Sequence, residues 1–125
     1  MPNDLLKLKR LMKTANSLKK TRPVILRGAQ LDASNALKYA WWFESFRDQL
    51  RTGVYRFSYF KLNGSIREAR GTLCIDLIPD EHRPLRGYDN DAALEPVNTF
   101  RYYDLDAEGW RSFCLDNFIG FVSKV

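Results

Sequence analysis

Residues 100–121 read FRYYDLDAEGWRSFCLDNFIGF, and this stretch decides the fold class. It contains two extended runs rich in aromatic residues, an acidic turn that ends in Gly109, and one more short apolar run. Alternation of aromatic and polar residues is typical of half-buried β-strands. The stretch therefore predicts two strands joined by a turn, near 100–105 and 110–115, and a last strand near 119–122.

The residues just upstream show the same two-residue period. Aromatic and polar side chains alternate over residues 54–59, as in a half-buried strand. Asn63 and Gly64 then predict a hairpin with a type I′ turn, in which both central residues have positive φ. A return strand is predicted over 65–78, and Gly71 marks a bulge or bend where a small sheet curls.

Two amphipathic helices are predicted before the strands. Over residues 4–20 apolar side chains recur on one face, and most lysines lie opposite. The second helix, 33–51, has a broad apolar arc and a narrow stripe of Leu37 and Trp41 on the other side. Two apolar faces indicate two packing partners. We expect the sheet on the broad side, and the first helix or a partner on the narrow side.

No predicted helix connects successive strands, which argues against a parallel α/β fold. The prediction is an α+β chain in which a helical region, 1–53, precedes an SH3-like or Sm-like antiparallel barrel of about five strands, 54–125. A long loop, 79–97, belongs to the barrel region, and the length suits a single compact domain. A closed sheet would build its interior from Phe57, Phe113, Leu115 and their neighbours.

The charge is concentrated at one end of the chain. The net charge is +5, and residues 1–22 hold seven basic residues against one acidic residue. Attraction for phosphate is therefore expected mainly at the N-terminus. No apolar run approaches the roughly 20 residues of a membrane span, and no secretory signal is evident. We expect a cytoplasmic protein.

Catalytic and metal-binding patterns are missing from the sequence. Two cysteines and one histidine are too few for a zinc site, which needs about four ligands. The acidic turn copies the start of a calcium loop, but position 12 would be Leu115 instead of glutamate. His82 lacks an accompanying nucleophile or phosphate-loop motif. We expect neither enzymatic activity nor a cofactor or metal.

Arginine and aromatic residues are interleaved along the predicted strands, a combination that suits single-stranded nucleic acid and equally suits ordinary cross-strand pairs. The basic first helix either packs within the protein or a homodimer, lies on nucleic acid or an anionic membrane, or binds a partner protein. The candidate nucleic-acid-binding residues are Lys7, Lys9, Arg10, Lys13, Lys19, Lys20, Arg56, Arg101, Tyr102, Trp110 and Arg111. The candidate partner-binding residues are Leu37 and Trp41.

The barrel half resembles WYL-type domains, which have an SH3/Sm-like fold. The likeness rests on Phe57-Ser58-Tyr59 followed by Asn63-Gly64, and on the segment from Arg111 to Asp116 followed by Ile119. The resemblance implies a barrel with a closing strand at that segment. The whole chain is also similar to short SH3-like-fold proteins of gut anaerobes and their phages, through Met12-Lys-Thr-Ala15 and Ala36-Leu-Lys-Tyr-Ala-Trp41.

WYL domains that sense ligands tend to carry arginines in the closing strand and just after it. Here Cys114 and Asn117 occupy those places, and Arg111 remains. Three functions are therefore considered. The first is a nucleic-acid-associated accessory or regulatory protein of a bacterium, phage or mobile element. The second is a protein–protein adaptor or inhibitor that uses the 79–97 loop and Leu37/Trp41, and the third is a WYL-like small-molecule sensor in which Arg111 reads an anionic ligand.

Overall fold

A computed structural model describes residues 2–20, 33–84 and 98–125. Two helices precede five strands, as the sequence predicts. The elements are α1 (Pro2–Lys20), α2 (Ala33–Leu50), β1 (Val54–Phe60), β2 (Ile66–Thr72), β3 (Thr99–Asp104), β4 (Gly109–Cys114) and β5 (Phe118–Lys124). Short 3₁₀ turns at Ile75–Leu77, Asp80–His82 and Leu115–Asn117 lie between strands.

The strands form one antiparallel sheet in the order β4-β3-β2-β1-β5. Within the described ranges β4 and β5 are its edges and do not pair with each other, so the sheet is not closed. The predicted α+β architecture is confirmed, and the expectation of a closed sheet is wrong. The interior residues Phe57, Phe113 and Leu115 are buried as predicted.

Helix α2 covers the sheet because its broad face is aromatic. Phe46 stacks on Phe100 with ring centroids 5.4 Å apart, and Phe43 meets Phe118 edge-on at 5.3 Å. Both helix residues are almost fully buried. Aromatic pairs at these separations add to the free energy gained by burying their area. The helix therefore fills the interior of the curled sheet.

The C-terminal end of α2 is bonded directly to the sheet. The last carbonyl groups of a helix lack partners within the helix. Here the carbonyl of Leu50 accepts a hydrogen bond of 2.8 Å from the backbone N–H of Leu73, just after β2. The Thr72 hydroxyl donates to the Gly53 carbonyl at 2.7 Å. These bonds fix the direction in which the chain leaves the helix and enters β1.

The β1–β2 hairpin differs from the predicted type I′ turn. Gly64 has a φ of 87°, whereas Asn63 keeps a negative φ. The Lys61 carbonyl accepts from the N–H of Gly64, and the Asn63 carboxamide oxygen accepts from the N–H of Ser65. The Asn63 side chain thus stabilises the turn through a local bond to the backbone. Positive φ is therefore needed at one position of this turn instead of two.

The return strand β2 ends at Thr72, so the predicted extension to residue 78 is wrong. The Thr72 hydroxyl accepts a hydrogen bond of 3.0 Å from the N–H of Cys74, and this local bond competes with strand pairing. The chain then forms its first two 3₁₀ turns. Of the predicted loop 79–97, residues 85–97 lie outside the described residues.

Helix α1 packs on α2 through one side of its apolar stripe. Leu11, Ala15 and Leu18 are buried. Next to them, the Arg10 guanidinium forms two hydrogen bonds to the Glu44 carboxylate, of 2.7 and 2.8 Å. Glu44 is itself buried, so this pair fixes the two helices together where solvent screening is weak.

Neither of the two helices in the described residues is long and apolar enough to cross a membrane.

Candidate binding site

A pocket of about 520 Å³ lies between the β1–β2 hairpin and strand β4. It forms where the sheet fails to close, because β4 has no neighbouring strand on this side within the described residues. We call it the seam pocket. The residues that matter for its chemistry are Tyr59, Lys61, Arg67, Arg111, Phe113 and Asn117.

Three cationic side chains contribute to the seam pocket from three different elements. Lys61 comes from the hairpin turn, Arg67 from β2 and Arg111 from β4. Lys61 and Arg111 are exposed, and in the described part of the chain neither forms an ion pair. They are therefore available to an anionic ligand. Tyr59 and Phe113, whose rings stack with centroids 4.8 Å apart, supply an apolar floor.

Arg67 is already engaged by a buried carboxylate. Its guanidinium donates to the carboxylate of Asp104, a residue with no exposed surface. The other carboxylate oxygen accepts from the backbone N–H groups of Asp106 and Ala107, at 2.9 and 3.0 Å. Asp104 thus joins the floor of the seam pocket to the β3–β4 turn. Its position fixes the Arg67 side chain instead of leaving it mobile.

Two tyrosines extend this buried polar network. The hydroxyl groups of Tyr59 and Tyr102 share a hydrogen bond of 2.7 Å, and the Tyr102 hydroxyl donates to Asp104 at 3.3 Å. Burial raises the pKa of Tyr102, and its bond with Tyr59 raises it further. Tyr102 therefore stays protonated and remains a hydrogen-bond donor at all ordinary pH values.

The pKa of Asp104 reflects a competition between burial and hydrogen bonding. Burial alone would raise it, but the bonds from Arg67 and from the backbone outweigh burial and hold the pKa below its ordinary value. In the same pair, the hydrogen bond to Asp104 raises the pKa of Arg67. Both groups are therefore charged, and the pair stabilises the fold in its ionised form.

A second group of predicted residues lies on the opposite face of the sheet. The Arg101 guanidinium sits 4.3 Å from the centroid of the Trp110 ring, a cation–π contact. The Trp110 indole N–H donates to the His82 carbonyl at 2.6 Å. Because side chains alternate along a strand, Arg101 points away from the side on which Tyr102 is buried. These residues do not join the seam pocket.

The remaining candidates for nucleic-acid binding lie on different elements and do not form one surface with the seam pocket. The candidate Tyr102 has no exposed surface and lies in the hydrogen-bonded interior, so it is not accessible to nucleic acid. Arg10 is engaged by Glu44 instead of facing solvent. Lys9 and Lys13 on α1, and Arg56 on β1, are exposed. The side chains of Lys7, Lys19 and Lys20 lie outside the described residues.

The two partner-binding candidates lie on the side of α2 that faces solvent. Leu37 and Trp41 on α2 are both exposed. Glu44, on the same side of the helix by its spacing, pairs with Arg10 of α1. The first helix therefore meets only part of the narrow face of α2, and Leu37 and Trp41 remain accessible to solvent.

Sequence reasoning missed Lys61 and the role of the Arg67–Asp104 pair. The periodicity of each strand gave no sign that the hairpin turn would lie beside β4. Asp104 begins the acidic turn of the sequence, and the pattern of that turn gives no sign of a buried ion pair. One signal was present, since Asp104 follows the buried positions 100 and 102 in a two-residue period and so belongs to the interior face.

Cys114 also lines the seam pocket, and Cys74 lies in the segment between β2 and the first 3₁₀ turn. Both thiols are free. Burial, and then the nearby Asp116 carboxylate, raise the pKa of Cys114. A raised pKa makes a thiol less reactive, because the thiolate is the nucleophilic form. Cys114 therefore shapes the wall of the pocket without being an activated nucleophile.

Comparison with known proteins identifies the family of this chain. Neither the curated proteins nor the solved structures include one that matches it. The model of one family, described as "WYL_2, Sm-like SH3 beta-barrel fold", matches residues 43–119. The matched range is more than half of the chain, runs from the middle of α2 to the start of β5, and contains the described residues of the seam pocket. The chain therefore belongs to the WYL_2 family of Sm-like SH3 β-barrel domains.

Proposed function

We propose that this protein is a small non-enzymatic module that binds single-stranded nucleic acid, with one nucleotide held in the seam pocket. The observation that carries the proposal is the pair of exposed cations, Lys61 and Arg111, on either side of an apolar floor. Such a module fits an accessory or regulatory protein of a bacterium, phage or mobile element. An Sm-like domain of this family fits a small binding or regulatory module.

The seam pocket offers groups that suit both the phosphate and the base of a nucleotide. Lys61 offers a compact ammonium group, and Arg111 offers a planar guanidinium that bonds phosphate in a bidentate manner. The Arg111 plane is also suited to stacking on an exposed base. Asn63 and Asn117 also line the pocket and carry neutral hydrogen-bonding groups. Duplex nucleic acid is less suited, because its bases are stacked and cannot enter a pocket.

A free anionic small molecule is the second candidate, and the size of the pocket favours it. A volume of about 520 Å³ falls within the range that small-ligand sites usually occupy, about 300–1,000 Å³. Cys114 and Asn117, which stand where WYL sensors tend to carry arginines, also line this pocket. In this case Arg111 and Lys61 bind the anionic group of a nucleotide or of a similar metabolite.

Replacing Arg111 and Lys61 together with glutamine should weaken binding of a fluorescently labelled mixed-sequence 12-nucleotide DNA or RNA strand at least tenfold at low salt. The loss of two phosphate contacts should also reduce the slope of log affinity against log salt by about 1.4, since each contact on a single strand contributes about 0.7. Fluorescence anisotropy across a salt series measures both quantities.

Lys38→Gln serves as the control, because Lys38 is an exposed lysine on α2 that does not line the pocket. It removes a positive charge and should leave affinity within about twofold of the wild type. Competition with nucleoside monophosphates separates the two candidates. Saturable displacement by a monophosphate at concentrations similar to those of the strand favours the small-molecule sensor. Absence of strand binding at low salt, or strand binding that the double substitution leaves unchanged, contradicts the nucleic-acid proposal.

A further inference from the structure

Apolar side chains lie in solvent on both helices of the α1–α2 pair. On α1 they are Leu5, Leu8 and Met12, which share one side because they are three and four residues apart. On α2 they are Leu37 and Trp41, four residues apart. Leu8 is 50% exposed and Trp41 is 52% exposed. We call these five residues the helix surface.

Within residues 2–20, 33–84 and 98–125, the packing of the fold does not use the helix surface. Helix α1 packs through a different stripe, formed by Leu11, Ala15 and Leu18, which are all buried. Helix α2 uses its broad aromatic face against the sheet. A single exposed leucine needs no explanation, but an apolar stripe on each of two packed helices is typical of a protein interaction surface.

Positive charge borders these apolar residues and restricts what can cover them. Lys9 and Lys13 are exposed on α1 one residue from Leu8 and Met12, and Lys38 is exposed beside Leu37. Helix α1 holds six basic residues and one acidic residue in its sequence. A second copy would bring two such helices together, and like charges across an interface oppose association. The charge therefore calls for an acidic occupant.

The apolar residues of the helix surface distinguish between three acidic ligands: nucleic acid, an anionic membrane and an acidic protein helix. Phosphates of nucleic acid would pair with the lysines but would leave Leu8, Met12 and Trp41 without apolar contacts. An amphipathic helix that lies on a membrane buries its broad apolar face in the lipid. Here the corresponding face of α1 is already packed on α2, and only a narrow stripe remains. A stripe of this width suits the apolar face of another helix.

We propose that the helix surface binds an acidic amphipathic helix of a partner protein. Its leucine or aromatic side chains, at helical spacing, pack against Leu8, Met12 and Trp41. Its flanking aspartates or glutamates pair with Lys9, Lys13 and Lys38. Trp41 is the central anchor, since tryptophan is enriched among the residues that dominate binding energy. This surface is separate from the seam pocket, so the two interactions succeed or fail independently.

Selection from a displayed library of helical peptides against the full chain tests this proposal. The library has random charged residues on one face and random apolar residues on the other. Enriched peptides should carry a net negative charge and apolar residues at helical spacing. Leu8→Ser and Trp41→Ala should each weaken their binding at least tenfold, and raising salt from 50 to 500 mM should weaken it further. Circular dichroism verifies that both variants remain folded.

Ile66→Ser provides the matched control, because Ile66 is equally exposed but lies on β2. It should leave peptide binding unchanged, and so should the Arg111→Gln and Lys61→Gln double variant. Several results overturn the proposal: no enrichment, enriched peptides without net negative charge, or binding that Leu8→Ser and Trp41→Ala do not affect. Two further results overturn it. One is a dimer in sedimentation that Leu8→Ser and Trp41→Ala abolish. The other is binding to vesicles rich in phosphatidylglycerol that the same two substitutions abolish.

Discussion

Phe46→Ala is expected to lower the free energy of unfolding by about 3–5 kcal/mol, the range typical of removing a fully buried aromatic ring. Phe46 is the residue through which α2 fills the open sheet. Its ring contacts Phe57, Phe100 and Phe118, which belong to three different strands. Removing it leaves a cavity where helix and sheet meet. Urea denaturation monitored by circular dichroism measures the change.

Trp41→Ala provides the comparison for Phe46→Ala. It removes a larger ring from the same helix, but from a position that is half in solvent. We expect a loss below about 1 kcal/mol, as for most exposed positions without a special structural role. If the two variants lose similar stability, α2 does not pack on the sheet as described.

Asp104→Ala is expected to lower the free energy of unfolding by about 2–3 kcal/mol. The substitution removes the partner of Arg67 and the acceptor that holds the N–H groups of Asp106 and Ala107 in the β3–β4 turn. Breaking a fully buried pair usually costs more, about 3–5 kcal/mol. The smaller value is expected because the Arg67 side chain is 27% exposed and can regain contact with water.

The matched control is Asp106→Ala, which removes the neighbouring carboxylate of the same turn. Asp106 pairs with Arg70, and each of the two side chains is about half exposed. Exposed pairs contribute about 0–1 kcal/mol, so this variant should remain close to wild-type stability. An equally stable Asp104→Ala protein would show that the buried network does not stabilise the fold.

Acidification should weaken the fold through Asp104. Because its pKa is lower in the folded than in the unfolded protein, its stabilising effect is present above the ordinary value of 3.8. It is lost as the pH falls below that value and through the folded-state pKa. The stability of the wild type should therefore decline below about pH 4 more steeply than that of Asp104→Asn. Parallel pH profiles would contradict the depressed pKa.

The fold could be predicted because local patterns and long-range packing agree. The two-residue period of the strands and the helical period of residues 4–20 and 33–51 each identify an element without reference to its neighbours. The aromatic residues on the broad face of α2 predicted packing on the sheet, and Phe43 and Phe46 do contact it. The end of β2 was missed because one hydroxyl, that of Thr72, redirects the backbone.

The binding site could be predicted only in part, because it depends on which residues meet in space. Arg111 was identified, but its neighbours Lys61 and Arg67 come from the far end of another hairpin. The exposure of Tyr102 could not be predicted, because tyrosine suits both an exposed and a buried position. Its hydroxyl finds partners in Tyr59 and Asp104, and these contacts make its complete burial possible.

In our proposal the seam pocket, and not the basic helix, holds the nucleotide. Two-dimensional ¹H–¹⁵N NMR of the full chain, titrated with a 12-nucleotide single strand, tests it most directly. We predict that the largest shift changes fall on the backbone amides of Lys61, Asn63, Arg111 and Asn117. Changes confined to Lys9, Lys13 and their neighbours on α1, or no saturable changes at all, would contradict the account.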